Sequence, residues 1–489
     1  MFRTKIVVLF ALTIAAAPSL LAQQPVGVGS APAQPAEATN ERITQLESQL
    51  KSLQQQLEAL RSEMQNKAAS AQPAAATSAA LPVAQSPSTP VEAKPSAAQT
   101  KTLGVDIGSA RLTPYGTIYF NAFGNTAGTN NTDVPLFATV SGASNASATV
   151  RQTRLGMRLE GARVGNSRLS GVVEADFFGG FPSVGIGENF GVVRLRLANA
   201  RIDWEKTSVT VGQDWMVFAP VNPTSLAAAA IPQMAAAGNP WARLPLVRID
   251  SKVSKNVTLT GAVTAPQTGD FATNAAFFLQ PTTGSSSRVP FFQGRLAFTD
   301  NDWLDSKKNG TIGLSGHYGR SRVFTGAANV EHEIDSAGVA LDWNFPLHAR
   351  VQLLGEAFWG RNLGGFQAGI FQGFNNEFAV LNGSILQPAG VRSIATRGGW
   401  MQIGFTPNAF ADRLSINGSI GLDDPYDRDL VTISRRDFRT RNLAFALNSI
   451  YKFSPQFSIS AEYRHFFTHY FVSGRRDAGH VNLAAAYSF

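Results

Sequence analysis

The sequence predicts an all-β transmembrane barrel of about 16 antiparallel strands, preceded by an N-terminal α-helical coiled coil. Three observations carry this. The chain opens on an export signal and later lacks any apolar run long enough for a spanning helix. It closes on a period-two strand with an aromatic last residue. Between the two, strand-like runs alternate with short and long connections.

The export signal comes first. Arg3 and Lys5 form a basic start, Ile6 to Ala17 a short apolar core, and small residues lead to cleavage after Ala22, making residues 1–22 a signal peptide. The core is too short to span a membrane, and Pro18 breaks it. Leu20-Leu21-Ala22 resembles a lipobox, but Gln23 occupies the place of the lipid-bearing cysteine, which argues against a lipoprotein. No later stretch approaches the ~20 consecutive apolar residues of a transmembrane helix, leaving a periplasmic protein or a β-barrel. With no cysteine in the chain, disulfides, thiolate metal sites and cysteine nucleophiles are excluded.

In Val481-Asn482-Leu483-Ala484-Ala485-Ala486-Tyr487-Ser488-Phe489, odd positions are apolar and even ones small or polar, as a strand with one face against lipid requires. Tyr487 and Phe489 form the expected assembly signal, read by a barrel-assembly machinery that delivers the chain into outer-membrane lipid of a Gram-negative-type envelope.

Residues 23–39 read as a disordered segment. Over 40–66, Ile43, Leu46, Leu50, Leu53, Leu57, Leu60 and Met64 fall at alternating spacings of three and four, an unbroken a/d seam with Asn40 as N-cap. Arg42 and Glu47 flank it where parallel chains pair. A helix this short is marginal alone, so the seam predicts self-association, against the alternative of packing on its own barrel. Residues 67–112 form a linker: over 68–100, Ala, Pro, Ser, Thr and Gln dominate, too little apolar surface to offset ordering entropy.

The barrel is expected over 113–489. Long connections fall near 124–150, 179–193, 219–242, 266–287, 320–331, 361–396, 422–436 and 468–477. Short turns lie at Gly161–Ser167, Glu205–Thr207, Lys252–Lys255, Asp300–Asn309, Asn344–Ala349, Pro407–Asp412 and Lys452–Pro455. Their strict alternation implies short periplasmic turns, long external loops and both barrel ends on the periplasmic side, beside the coil. Val257–Val263, Ile312–Tyr318 and Leu414–Ile420 each separate into apolar and polar faces, and Trp204, Trp303, Trp343 and Tyr451 fall near strand ends, where an interfacial girdle belongs. Wall side chains cannot fill a lumen of this width, so it should hold water and pass small hydrophilic solutes by passive diffusion.

Alternation assigns the charges. Thr153, Leu155, Met157 and Leu159 form a lipid face, so Arg154, Arg158 and Glu160 point inward; the reverse register would cost about 2–4 kcal/mol per arginine near the midplane. Arg168, Glu174 and Asp176 face inward from the next strand, then Arg194 and Arg196, with a bulge before Arg201 and Asp203. Arg248, Arg295, Glu356, Glu462 and Arg464 follow likewise. Residues 113–489 hold 33 Lys and Arg against 27 Asp and Glu, and 27 of those cations are arginine. Guanidinium suits carboxylate and phosphate, so the wall either attracts small anionic solutes or is neutralised by arginine–acid pairing. In 219–242, Pro220, Pro223, Pro232 and Pro240 punctuate an Ala-rich run with Leu226, Ile231 and Met234, ending at Trp241 and Arg243. So apolar a loop either folds into the barrel as a constriction or is covered between subunits.

The export signal, coil, linker, sixteen-strand pattern and terminal Phe together resemble the trimeric DcaP-like porins. Val193-Arg194-Leu195-Arg196-Leu197-Ala198-Asn199-Ala200, then Val211-Gly212-Gln213-Asp214-Trp215, is similar to that family's arginine and Gly-Gln-x-Trp pattern. The resemblance implies a homotrimer, a periplasmic coiled-coil extension and uptake of small anionic solutes such as dicarboxylates. Phosphate-selective porins are a further comparison, but only six lysines follow residue 112, unlike their lysine-rich lumen.

No catalytic residue, cofactor, metal or nucleic-acid site is expected. His465-Phe466-Phe467-Thr468-His469 lacks the glutamate and helix of a zinc pair, and Gly185-Ile186-Gly187 lacks the helix of a dinucleotide site. The competing functions are an outer-membrane hydrolase, and a structural tether whose coil binds peptidoglycan. Replacing Leu50 and Leu57 with Lys should abolish the helical circular dichroism of residues 40–66 while the barrel oligomer survives on gels. Dissociation of the whole oligomer would show the coil to be its main support.

Overall fold

The computed structural model describes residues 104–180, 191–269, 274–275, 278–279, 281–325, 330–382, 385–387 and 389–489. The expected signal peptide and coiled coil, with Gly185-Ile186-Gly187, lie outside them. Among the described residues, sixteen strands form the wall of one antiparallel sheet. They are β1 (Ala110–Asn125), β2 (Arg154–Val164), β3 (Ser167–Asp176), β4 (Arg194–Asp203), β5 (Thr207–Trp215), β6 (Arg243–Lys252), β7 (Val257–Thr264) and β8 (Phe291–Asp300). The second half holds β9 (Gly310–Thr325), β10 (Val330–His348), β11 (Val351–Arg361), β12 (Ala395–Phe405), β13 (Leu414–Pro425), β14 (Arg439–Lys452), β15 (Phe457–Tyr470) and β16 (Gly474–Ser488).

Each strand pairs with its sequence neighbour, and β1 pairs with β16 to close the ring, from Thr117 opposite Ser488 to Asn125 opposite His480. Beyond the strand end, Phe489 and Gly116 exchange backbone hydrogen bonds, N–H of Phe489 to O of Gly116 at 3.0 Å and the reverse at 3.3 Å. A short strand, Asn145–Thr149, pairs with the upper half of β1, whose lower half pairs with β2.

Outward positions are apolar: Leu155, Met157, Val173, Leu195, Val211, Ile249, Leu314, Leu447 and Leu483 are all exposed. Their inward neighbours are polar and mostly buried, among them Arg154, Glu174, Arg196, Ser315, Asn448 and Glu462. At the short-turn end, Trp303 stacks on Phe345 with centroids 4.7 Å apart, and Tyr451 meets Phe410 and Phe453 edge-on, giving that end an aromatic rim.

Three local outcomes differ from the sequence reading. The wall begins at Ala110, ahead of the expected 113, because Gly108 (φ 63°) turns Val105–Ile107 back onto Ala110–Leu112. The connections expected near 320–331 and 468–477 shrink to residues 326–329 and 471–473, because the strands continue through them. In the first case outward cross-strand ion pairs, Arg320 with Glu333 and Asp335 and Arg322 with Glu331 and Glu333, carry the ladder onward.

Deleting Phe489 removes two hydrogen bonds from the closing seam, about 1 kcal/mol each. The truncated protein should reach the outer membrane at a lower level and lose its heat-modifiable gel migration at a lower temperature. Gly116→Val should behave alike, since a Cβ there would stand 2.7 Å from the carbonyl oxygen of Arg154 and from the Phe489 ring.

Candidate functional site

The connection between β5 and β6, residues 216–242, folds into the barrel. Phe218, Ala227, Ala230 and Ala237 are fully buried, with Ile231, Met234 and Trp241 nearly so. Of the two readings of this loop, folding into the barrel is the observed one. An apolar loop in a lumen has no ladder for its backbone, so inward side chains of the wall must supply partners.

They do so around most of the circumference. Gln293 of β8 accepts from the amides of Val217 (2.8 Å) and Phe218 (3.2 Å), and Ser315 of β9 from Ala219 (3.1 Å). Glu356 of β11 accepts from Val221 N–H at 3.1 Å. Gln402 of β12 accepts from Thr224 N–H (2.9 Å) and donates to Thr224 O (3.1 Å), which also receives Asn448 of β14. The Ser225 hydroxyl donates to Glu462 of β15 at 2.5 Å. Just before β2, Gln152 accepts from Ala229 and Ala230 N–H and donates to Ala227 O. The loop then turns back: Ser419 of β13 donates to Gln233 and Asn442 of β14 to Ala236 O. On this return it presses on bare wall backbone, where a Cβ on Gly421 would stand 2.1 Å from Ala237 O.

Where the loop passes β2–β4 the arginines gather. Arg154, Arg194 and Arg196 donate to the carbonyls of Ala229 and Ala230, and Arg243 donates to Ala230 O. Arg196 bridges Glu174 and Asp176, both at 2.7 Å, Arg194 binds Asp176 at 2.6 Å, and Arg154 lies 3.5 Å from Glu174. Arg243 is held between the rings of Trp215 (4.5 Å) and Trp241 (5.1 Å). Four guanidiniums thus meet two carboxylates. Arg196 is 2% exposed, whereas Arg194 keeps a quarter of its side chain open. A neighbouring pair, Arg151 with Asp133, balances itself.

The other predicted charges are spread along the wall. The bulge falls at Arg196, between the partners of Glu174 and Ala175, and turns Arg201 and Asp203 inward. Arg201 binds Asp203 (2.8 Å) and Asp250 (3.3 Å), and Arg248 binds Asp214 and Asp250, both at 3.1 Å. Arg295 forms a two-pronged pair with buried Asp342, and Arg464 pairs with Glu462. Arg158 lies over the Tyr115 ring, 3.8 Å from Glu160 and toward the short-turn end, and the Tyr115 hydroxyl donates to Glu174 of the arginine cluster at 3.0 Å. Arg168 is exposed at that same end, opposite Asp203. Arg154, Arg194 and Arg196 gather on the loop, and Arg158 of the expected strip adjoins them through Tyr115. The sequence reading missed the neutral anchors Gln152, Gln293, Gln402, Asn442 and Asn448, and the part of Arg243. Inward parity on their strands was the available signal.

His465 and His469 both face outward on extended β15, four residues and roughly 13 Å apart, so they cannot share a metal. Their ring partner is elsewhere: His465 sits 3.0 Å from the Tyr463 hydroxyl.

If this loop narrows the lumen, its anchors control channel noise. Replacing Gln152 and Gln402 with Leu would orphan buried backbone groups at about 1–3 kcal/mol each. Bilayer recordings of the double variant should show larger current fluctuations than wild type, and excision of 224–236 should raise the single-channel conductance. Unchanged currents in both would place the loop off the permeation path.

By sequence, neither a family model nor a curated protein matches the chain. By structure, it is similar to the outer membrane channel DcaP of Acinetobacter baumannii, with 16% identity and TM-score 0.57 over 78% of this chain and 99% of that one. It is also similar to OmpF of Salmonella typhi, with 11% identity and TM-score 0.50 over 79% of this chain and all of that one. The chain therefore has the sixteen-stranded barrel fold of these outer-membrane proteins.

Proposed function

We propose that the protein is a passive diffusion channel of the outer membrane for small hydrophilic solutes, with a preference for anions set at the constriction. The single observation that carries the reading is the loop 216–242, drawn across a sixteen-stranded lumen and tethered where four arginines meet two carboxylates. A barrel with an apolar outside and a polar inside suits a membrane with water on both faces and in the bore. The likeness in fold to DcaP, an outer membrane channel, supports membrane placement. The seam at residues 40–66 supports a homo-oligomer, a trimer by the resemblance, with the coil in the periplasm.

Selectivity follows from local balance. Below the constriction, Arg201, Arg248 and Arg295 face Asp203, Asp214, Asp250 and Asp342, so that stretch carries little excess of either sign. At the arginine cluster, among the described residues, four arginines meet two carboxylates. Two unit charges about 7 Å from a passing ion in water contribute on the order of 1 kcal/mol together, an enrichment of about fivefold. Screening erodes this as salt rises, because the Debye length falls from about 30 Å at 0.01 M to about 10 Å at 0.1 M.

Reversal potentials under a salt gradient should therefore show an anion preference of about fivefold near 0.01 M that shrinks toward unity at high salt. Replacing Arg194 and Arg243 with Gln should remove most of it, whereas Lys307→Gln, at an exposed turn, should leave it unchanged. A wild-type channel that favours cations at low salt would sink the anion preference and leave the channel standing. Bilayers that stay closed would overturn both.

A further inference from the structure

The outer face of the barrel carries a second arginine array, at the long-loop end of β11–β16. Successive register pairs place Trp359 beside Arg397, Arg397 beside Asp424, Arg441 beside His469, and His469 beside Arg475. Asp424 is the hinge of the row. Its carboxylate accepts from Arg397 (Nε, 3.0 Å) and Arg441 (Nε, 2.9 Å) together, so one largely buried acid holds two guanidiniums side by side. Those two side chains remain 60% and 53% exposed. Arg397 and Arg428 also flank the Tyr426 ring, at 5.6 and 5.0 Å. Arg475, paired to Asp477 at 2.7 Å, extends the row, and exposed Arg361 stands above Trp359.

The local balance is positive. Arg361, Arg397, Arg428, Arg441 and Arg475 face Asp424, Asp427, Asp429 and Asp477. The adjoining rim, on β9 and β10, has two arginines, Arg320 and Arg322, facing Glu331, Glu333 and Asp335. The height of the row is informative. From Arg441 to Tyr451 of the lower aromatic rim is ten residues of β14. At about 3.3 Å per residue and a tilt near 40°, that rise is about 25 Å, the height of the apolar band of such barrels. Between them the outward residues Leu443, Phe445 and Leu447 are apolar, and only Ser449, next to Tyr451, is polar. The arginines thus stand at the headgroup level of the outer leaflet, directly above a surface that acyl chains cover.

We propose that this rim is a docking strip for a phosphorylated glycolipid of the outer leaflet, with a headgroup phosphate bridging Arg397 and Arg441 and acyl chains lying on the band beneath. Guanidinium and phosphate match in charge and donor geometry, and the shared Asp424 pre-arranges the two donors. The proposal rests on membrane placement and is independent of conduction.

The test uses the full-length protein in detergent, stripped of lipid and titrated with lipid A bearing both phosphates, binding being read by native mass spectrometry. The Arg397→Gln, Arg441→Gln double variant should bind about tenfold more weakly than wild type, and Arg320→Gln, Arg322→Gln should bind as wild type does. Phosphatase-treated lipid A should bind wild type as weakly as the first variant binds intact lipid. Unchanged conductance and heat-modifiable migration would verify that both variants fold. Equal lipid binding by wild type and the first variant would overturn the proposal. So would wild-type affinity for the dephosphorylated lipid, or an oligomer that falls apart only in the first variant, which would mark the row as a contact between copies of the chain.

Discussion

Closure of the ring is the constraint on which the rest of this structure depends. Inside a bilayer no water can satisfy a stray N–H or C=O, so a spanning sheet must have no edge. The seam between β1 and β16, extended to the last residue by Phe489 and Gly116, removes that edge. An even strand number follows from it, and places both barrel ends opposite the long connections. Those connections are then free of any part in closing the wall, and several turn inward. Loop 216–242 meets Phe366, Ile370 and Leu136 from two other long connections in one apolar cluster.

An inward loop imposes a second demand, met by a different kind of residue. Five neutral amides, Gln152, Gln293, Gln402, Asn442 and Asn448, are among the wall side chains that hold it, and the geometry at Thr224 shows why. A single Gln402 both accepts from its N–H and donates to its C=O, which neither a carboxylate nor a guanidinium can do. Some charged anchors have opposite charges at hand: Glu462 receives Ser225 while paired with Arg464, and Arg196 reaches Ala229 O while held by Glu174 and Asp176, whereas Glu356 meets Val221 N–H opposite Asp342. Burying such ions is tolerable only because each has a partner within hydrogen-bond reach. The loop is thereby fixed at many points without a regular ladder of its own.

How much of this the sequence disclosed depends on which physical term was at stake. Face was legible, because a one-residue slip would put arginines such as Arg154 and Arg158 into lipid, and that penalty dominates. Height along the barrel axis was not. Periodicity cannot say that Arg158 sits by Tyr115 near the short-turn end while Arg154 reaches the loop. Strand ends beyond the membrane were also hidden, since Arg320, Arg322, Glu331 and Glu333 read as loop charge until their cross-strand pairing is seen. The inward course of 216–242 was half legible: its apolar composition demanded cover, but two kinds of cover satisfied it. Only the anchoring amides decide between them, and an Asn or Gln inside a period-two strand looks no different from one that merely faces water.

The same point governs how charge should be read in such a protein. An excess of six positive charges over residues 113–489 says nothing about any one surface. At the constriction four arginines share two acids. Lower in the lumen the pairs cancel, the outer rim of β11–β16 is again positive, and that of β9 and β10 is acidic. Interactions between exposed charges fade within about a Debye length, near 10 Å at 0.1 M, so the constriction and the outer rims act separately. A solute in the bore and a lipid on the outer wall each respond to the few residues within that radius. Arginine serves on both sides because its planar donors bind one carboxylate and leave others free, as Arg194 does at Asp176 and Arg441 at Asp424. The acid that appears to neutralise an arginine also fixes its direction, and a fixed donor is a better recognition element than a mobile one.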